Sequence, residues 1–349
     1  MRGFQLILGQ DDPAAAAGAM AGATLDRPDG GGHLLRKGQR IGPAEVEGLR
    51  ALAMAAPGTR VSLLALDADD VDETTAAQML SAAFAGPGVT LRGPSQGRVR
   101  LSAARTGLVR VAGARLAAAN TLPDISVYTV FDGTPVAAGA PLGEVKITPL
   151  AAPRAVIEEA VRALAPDDGA PVLEVRAFTP HRAALVVCER LAPDAAGRMV
   201  RGLQNKLAWF GSTLDAGDVD HVANDRAEVA SRLHAAMDRG ATLILAAGGS
   251  TSDPADPTLC ALADVGATLL RRGVPIHPGS LLWVAQRDAA LIMGVPSCGA
   301  FGEQTSLDVM LPRLLALGTD GLAGLERLAE GGLLTRGMDH RFPPYGALE

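Results

Sequence analysis

Residues 241–247, Ala-Thr-Leu-Ile-Leu-Ala-Ala, form a nearly unbroken apolar run. It passes straight into Gly248-Gly249-Ser250-Thr251-Ser252-Asp253-Pro254-Ala255-Asp256-Pro257-Thr258 and then into a helix-length segment. A strand with one wet face alternates polar and apolar residues, whereas a parallel strand covered by helices on both faces reads as a continuous apolar run. Strand, glycine-rich turn and helix in that order are the repeating unit of an open α/β sheet. The surrounding segments fit the same unit: strands at 184–188 and 289–294, and helices at 195–210, 225–239, 258–265 and 306–317. The expectation is a three-layer α/β domain over 171–325, built on a parallel sheet.

The first half reads differently. Gly30-Gly31-Gly32 marks a turn, and Pro43 opens a segment with helical apolar spacing, which together predict a small α+β unit. Between 88 and 150 the apolar runs are short and bounded by Gly or Pro, at 99–101, 108–111, 127–131 and 145–147, as in a small β-rich piece. The opening MRGFQLILGQDDP lacks a full signal-peptide core and is read as a first strand. Prolines at 149, 153 and 166 punctuate one helical segment, so 151–170 is read as a linker between a smaller α+β/β-rich region, 1–150, and the α/β domain. Residues 326–349 are expected to be an irregular tail.

Composition narrows the function. A chain of 349 residues accommodates two domains, and 48% hydrophobic with 20% charged residues is a folded, globular profile. No run reaches the roughly 18 apolar residues of a spanning helix. With net charge -6 and no basic block, nothing in the sequence recommends a nucleic-acid partner. The three cysteines stand far apart and the six histidines are scattered, so neither a zinc site nor a disulfide framework is indicated, and reduced thiols fit the cytoplasm. Cys188, inside an apolar run, is read as a small buried hydrophobe. Glu303, Asp308 and Arg313 around the last helix are read as a solvated face.

Ligands of open α/β sheets sit outside the carboxyl ends of the strands. There, Gly248 and Gly249 let the backbone turn tightly and approach a ligand, while Ser250, Thr251 and Ser252 supply hydroxyls beside exposed amides that can cradle a phosphate. Asp253 and Asp256 repel an anion by themselves and become useful if Mg²⁺ bridges carboxylate and phosphate. Asp256 before Pro257 is equally what a helix N-cap looks like, and Asp253 before Pro254 fits a turn in which the side chain bonds the backbone. For Asp225 an N-cap is the simpler role.

The 248–258 loop resembles the GG-x-x-x-x-P-x-D-x-T loop of the molybdenum-cofactor biosynthesis domain of gephyrin-like and CinA-like proteins. It is similar above all to a prokaryotic molybdopterin-binding protein family whose loop reads GGMSVDPDD. The likeness continues through Pro278-Gly279, Gly294-Val295-Pro296 and the segment 305–316, and backwards through 97–101, 106–111, Asn120, Thr134-Pro135-Val136 and Pro149-Leu150. Glu189 matches the family's TG-x-E turn, with Cys188 in place of the glycine, and the family's cysteine-bearing tail has no counterpart here.

The resemblance implies a molybdopterin pocket lined by Gly248, Gly249, Ser250, Thr251, Ser252, Asp253, Asp256 and Glu189, with Pro278, Gly279, Gly294 and Pro296 on neighbouring loops. It implies a role in synthesis, insertion or delivery of the molybdenum cofactor, with a recipient molybdoenzyme as partner, no membrane, and homo-oligomerisation left open. If the protein is an enzyme, molybdenum insertion or nucleotidyl transfer would run with Mg²⁺ held by Asp256, the candidate catalytic residue. The alternatives are a non-catalytic carrier or chaperone, and a CinA-like hydrolase of pyridine nucleotides or ADP-ribose.

Overall fold

The computed structural model describes residues 1–165, 169–248, 252–296 and 303–345. Two compact units divide the chain: one comprises 1–104, 110–132 and 139–174, the other 105–109, 133–138 and everything from Val175 onward. Among the described residues no helix is long and apolar enough to cross a membrane.

Up to residue 165 the elements run β1 (Arg2–Ile7), β2 (Met20–Ala21), β3 (Leu25–Asp26), β4 (His33–Leu35), α1 (Pro43–Ala55), β5 (Arg60–Ala65), β6 (Asp70–Asp72) and α2 (Glu73–Phe84). There follow β7 (Val89–Ser95), β8 (Arg98–Ala103), β9 (Gly107–Val111), α3 (Gly113–Asn120), β10 (Ile125–Thr129), β11 (Pro135–Val136), β12 (Pro141–Ile147), β13 (Ala151–Pro153) and α4 (Arg154–Leu164). In the first unit α1 starts at Pro43, whose missing N–H costs nothing at the first turn, and Glu45 accepts the Gly42 N–H at 3.0 Å. Its apolar stripe, including Val46, Leu49 and Leu52, meets Leu6, Leu35 and Leu63 in one core.

The four-stranded sheet β10-β12-β8-β7 is antiparallel throughout and packs against α2. Asn120, one of the residues carrying the family likeness, has a structural role, since its side chain bonds both the N–H and the C=O of Val127 and ties α3 to β10. Where the sequence suggests a linker, the chain instead adds β13 to β6 and packs α4 on α2 and α3 within the first unit. The helix there is strongly amphipathic, with Ile157, Ala160 and Leu164 buried, and a connecting segment would have no such face to hide.

After β14 (Leu173–Ala177), whose first two residues belong to the first unit, the second unit continues with β15 (Arg182–Val187), α5 (Pro193–Trp209), β16 (Thr213–His221), α6 (Arg226–Asp238), β17 (Leu243–Ala247) and α7 (Pro257–Asp264). It ends with β18 (Thr268–Arg272), β19 (Trp283–Arg287), β20 (Ala290–Val295), α8 (Ser306–Leu317) and short 3-10 turns at Leu325–Ala329 and Arg336–Arg341. Its six-stranded sheet has the order β16-β15-β17-β20-β19-β18. Because Cβ atoms alternate across a strand, Leu243, Leu245 and Ala247 join one core with α5 and α8, while Ile244 and Ala246 join the other with α6 and α7. Every residue of β17 is buried, and each fully buried aliphatic side chain contributes about 1.5–3 kcal/mol, so neither face can face water. This is the three-layer α/β architecture.

One part of the expectation needs correction. The pairs β16–β15, β15–β17 and β17–β20 are parallel, but β19 and β18 extend the sheet antiparallel. Only Asp288 and Ala289 separate β19 from β20, too few residues for a parallel crossover, and Asp288 takes the positive φ of 50° that a two-residue hairpin demands.

Candidate functional site

The parallel register fixes where a ligand can sit. Val187 of β15 pairs with Ala247 of β17, which pairs with Val295 of β20. These are the last residues of their strands, so three chain exits leave one row about 10 Å across, given the ordinary strand spacing. Each exit leads to the N-terminus of a helix, α5, α7 or α8. This is the edge at which open α/β sheets bind ligands.

The first two exits are pressed together. Gly248 has φ 105°, and a Cβ there would stand 2.9 Å from the Glu189 nitrogen, so any other residue would collide with the turn leaving β15. Gly249, Ser250 and Thr251 lie outside the described residues. Ser252 and Asp253 are exposed, and Asp253 accepts the Ala255 N–H at 2.8 Å in the turn ahead of the helix. Asp256 is buried and caps α7: its Oδ1 accepts the N–H of Thr258 at 3.0 Å and of Leu259 at 3.3 Å. The Thr258 hydroxyl donates to Asn224 Oδ1 at 3.2 Å, which ties this turn to the segment before α6. Asn224 stands next to Asp225, which caps α6 through the N–H groups of Ala227 and Glu228.

Cys188 is buried at the end of β15. Burial pushes its thiol up; a bond with Thr258 opposes this, and the charges of Asp256 and Glu189 add to it. It therefore stays a neutral thiol near pH 7 rather than a nucleophilic thiolate.

The third exit forms a second cluster. The Ser306 N–H donates to the Pro278 carbonyl at 2.9 Å and its hydroxyl to the Gly279 carbonyl at 2.6 Å, which seats the 278–279 turn on the start of α8. Gly279, at φ 97°, could carry no side chain, since a Cβ would fall 2.4 Å from Ser306 Oγ and 2.9 Å from Pro296. Pro278, Gly279 and Pro296 are thus brought together. Gly294 lies within the strand beneath Trp283, whose indole nitrogen would meet a Cβ at 2.2 Å, so this glycine answers to packing.

The charges of α8 are not a solvated face. Asp308 is 1% exposed and Arg313 3%. Asp308 forms an ion pair with the buried Lys206 of α5 and accepts the Thr305 N–H at 2.8 Å, and Arg313 donates to the carbonyls of Gly321 and Ala323 at 3.0 Å each. Lys206 also lies 5.1 Å above the Tyr345 ring. Burial, aided by Asp308, pushes the Tyr345 hydroxyl well above the ordinary tyrosine range. This network clamps the start of α8, and with it the third exit.

Among the described residues no group of three His, Cys, Asp or Glu side chains is placed to hold a metal ion. The Oδ1 of Asp256 already serves the cap, accepting two backbone N–H groups.

No family model matches the chain. A molybdenum cofactor biosynthesis bifunctional protein of Synechococcus elongatus is 30% identical over 159 residues, which are 45% of this chain and 47% of that protein. The match therefore spans about half the length of that curated relative. Among solved structures, the molybdopterin biosynthesis protein MoeA of Pyrococcus horikosii overlays 74% of this chain and 80% of its own, at 13% identity and a TM-score of 0.29. That Synechococcus protein and the family that the 248–258 loop resembles both belong to biosynthesis of the molybdenum cofactor.

Proposed function

We propose that this chain, a relative of molybdenum-cofactor biosynthesis proteins over part of its length, binds molybdopterin along the row of exits after Val187, Ala247 and Val295. The observation that carries the reading is that row: three loops with the glycine turn at Gly248 converge on one edge, where backbone amides can meet the pterin phosphate. The buried cap at Asp256, whose Oδ1 is already bonded by the N–H groups of Thr258 and Leu259, favours binding and handover to a molybdoenzyme in the cytoplasm over Mg²⁺-dependent molybdenum insertion or nucleotidyl transfer.

The test is titration of the purified chain with molybdopterin, with and without Mg²⁺, beside Asp256→Asn and Asp256→Ala. Asn caps a helix about as well as Asp, so Asp256→Asn should keep parental affinity and stability, while Ala should lose about 1 kcal/mol of stability. Loss of a Mg²⁺-dependent affinity or turnover in the Asn variant at parental stability, shared by the Ala variant, would restore the metal-enzyme reading. Hydrolysis of a pyridine nucleotide by a chain that retains no fluorescent oxidised pterin would favour the CinA-like alternative.

A further inference from the structure

The chain contains only three lysines, Lys37, Lys146 and Lys206. Lys206 is consumed by its buried ion pair with Asp308. The other two, more than a hundred residues apart in sequence, line one cleft of about 720 Å³ in the first unit, together with Arg36 and Arg98. That volume is within the ordinary range for small-molecule sites, roughly 300–1,000 Å³. Four cationic side chains face a single carboxylate, Glu73, in a protein whose net charge is -6.

The sheet register sharpens the imbalance. Lys146 of β12 is the direct cross-strand partner of Arg98 of β8. Like charges directly opposite each other destabilise an antiparallel pair. Arg98 finds partial relief in Glu144 at 3.5 Å, a carboxylate it shares with Arg100 at 3.3 Å and with the Tyr128 hydroxyl at 2.6 Å. Among the described residues Lys37, Lys146 and Arg36 have no carboxylate within salt-bridge distance.

The Glu73 carboxylate lies close against the backbone of two glycines, since a Cβ on Gly97 or Gly38 would collide with its oxygens. Gln96 and Gly97 both have positive φ in the two-residue turn between β7 and β8, which brings that turn against Glu73. Burial pushes the Glu73 carboxyl up, whereas Lys37 and Lys146 pull it down and the neighbouring Asp72 adds to the rise. A hydrogen-bond acceptor thus sits beside the cations, and the hydroxyls of Thr24 and Thr148 complete a polar wall.

We propose that this cleft binds a phosphate-bearing small molecule, its phosphate oxygens held by Lys37, Lys146 and Arg98 and a donor group of its organic part bonded by Glu73. The site is independent of the pterin reading, because it lies wholly within the first unit.

The test uses inorganic pyrophosphate, 5′-AMP and adenosine with the full-length chain at physiological salt. Pyrophosphate and 5′-AMP should bind in calorimetry and adenosine should not. Lys37→Gln and Lys146→Gln should each weaken pyrophosphate about tenfold, the usual scale for one charged hydrogen bond. On the unaltered protein, pyrophosphate should slow acylation of Lys37 and Lys146, read by peptide mass spectrometry, while leaving the N-terminal amine unaffected. Absence of that protection, or equal pyrophosphate affinity in the double variant, overturns the assignment. Pyrophosphate binding without 5′-AMP binding would overturn the place given to an organic part.

Discussion

The six-stranded sheet of the second unit and the four-stranded β10-β12-β8-β7 sheet of the first expose different materials to a ligand. In β17 all five residues are buried, so the sheet has no side chain to spare there and chemistry falls to the loops leaving its carboxyl edge. In β8 and β12 the alternation buries Val99, Leu101 and Val145 and leaves Arg98, Arg100 and Lys146 at least partly accessible, so the strands themselves wall a site. Covering both faces of a sheet moves function to backbone amides and glycines, whereas leaving one face open lets ordinary charged side chains carry it. The first kind of site is fragile to packing and the second to charge.

The largest expected effect tests whether the loop edge rests on its scaffold. Asp308→Ala leaves Lys206 buried without its partner and should cost about 3–5 kcal/mol, lowering the urea midpoint. Lys206→Met with Asp308→Leu, which removes both charges, should recover much of that loss. If the single variant is no less stable than the parent, the clamp on α8 is not what holds the third exit.

A smaller loss is expected at the glycine turn. Gly248→Val forces a branched side chain to φ 105° against Glu189, which should cost about 1–3 kcal/mol and abolish molybdopterin binding. Pyrophosphate binding by the same variant should be unchanged, because that cleft uses side chains of the other unit. Parallel loss of both ligands would mean that the two sites are not built independently.

The smallest effect is a matter of pH. His181 sits half-buried with Nδ1 3.0 Å from the Thr242 hydroxyl, and burial holds its imidazole below the ordinary histidine value of 6.5, with a bond to the Thr242 backbone opposing this. The unfolded chain then takes up this proton before the folded one does. Stability should be fully present above about pH 6.5 and decline as pH falls from there towards the folded pKa. His181→Gln should flatten the thermal unfolding profile between about pH 7.5 and 5.5. An unaltered slope would assign the acid sensitivity to other groups.

Continuous apolar runs were enough to read β15, β17 and β20, and an acidic residue ahead of a helix was enough to read the cap at Asp225, whereas at Asp256 the same signal fits a cap and a metal ligand equally. Strand direction was not legible in the same way, since Trp283–Arg287 would look alike running up or down the sheet. The useful signal was the spacing, with only Asp288 and Ala289 between two strands. Asp308 and Arg313 were misread because charge ordinarily marks a wet face. The contrary signal was the rest of α8, Ser-Leu-Asp-Val-Met-Leu-Pro-Arg-Leu-Leu-Ala-Leu, which is apolar on every side and so must be buried all round. The basic cleft left no linear trace, because folding gathers it from residues near 36, 98 and 146.

The sheet of the second unit ends at β18, and that ending bears on how the protein keeps company with itself in a crowded solution. All five of its residues, Thr-Leu-Leu-Arg-Arg, are exposed, and among the described residues its outer side pairs with no strand. A sheet edge with two exposed leucines is a template onto which another chain could add. Two features blunt it: the register slips between Leu269 and Arg271, breaking the regular ladder, and consecutive arginines place charge where an incoming strand would lie. Replacing Arg271 and Arg272 would remove the Arg271 bond to the Gly273 carbonyl and would register chiefly as lost solubility, with self-association growing steeply with concentration.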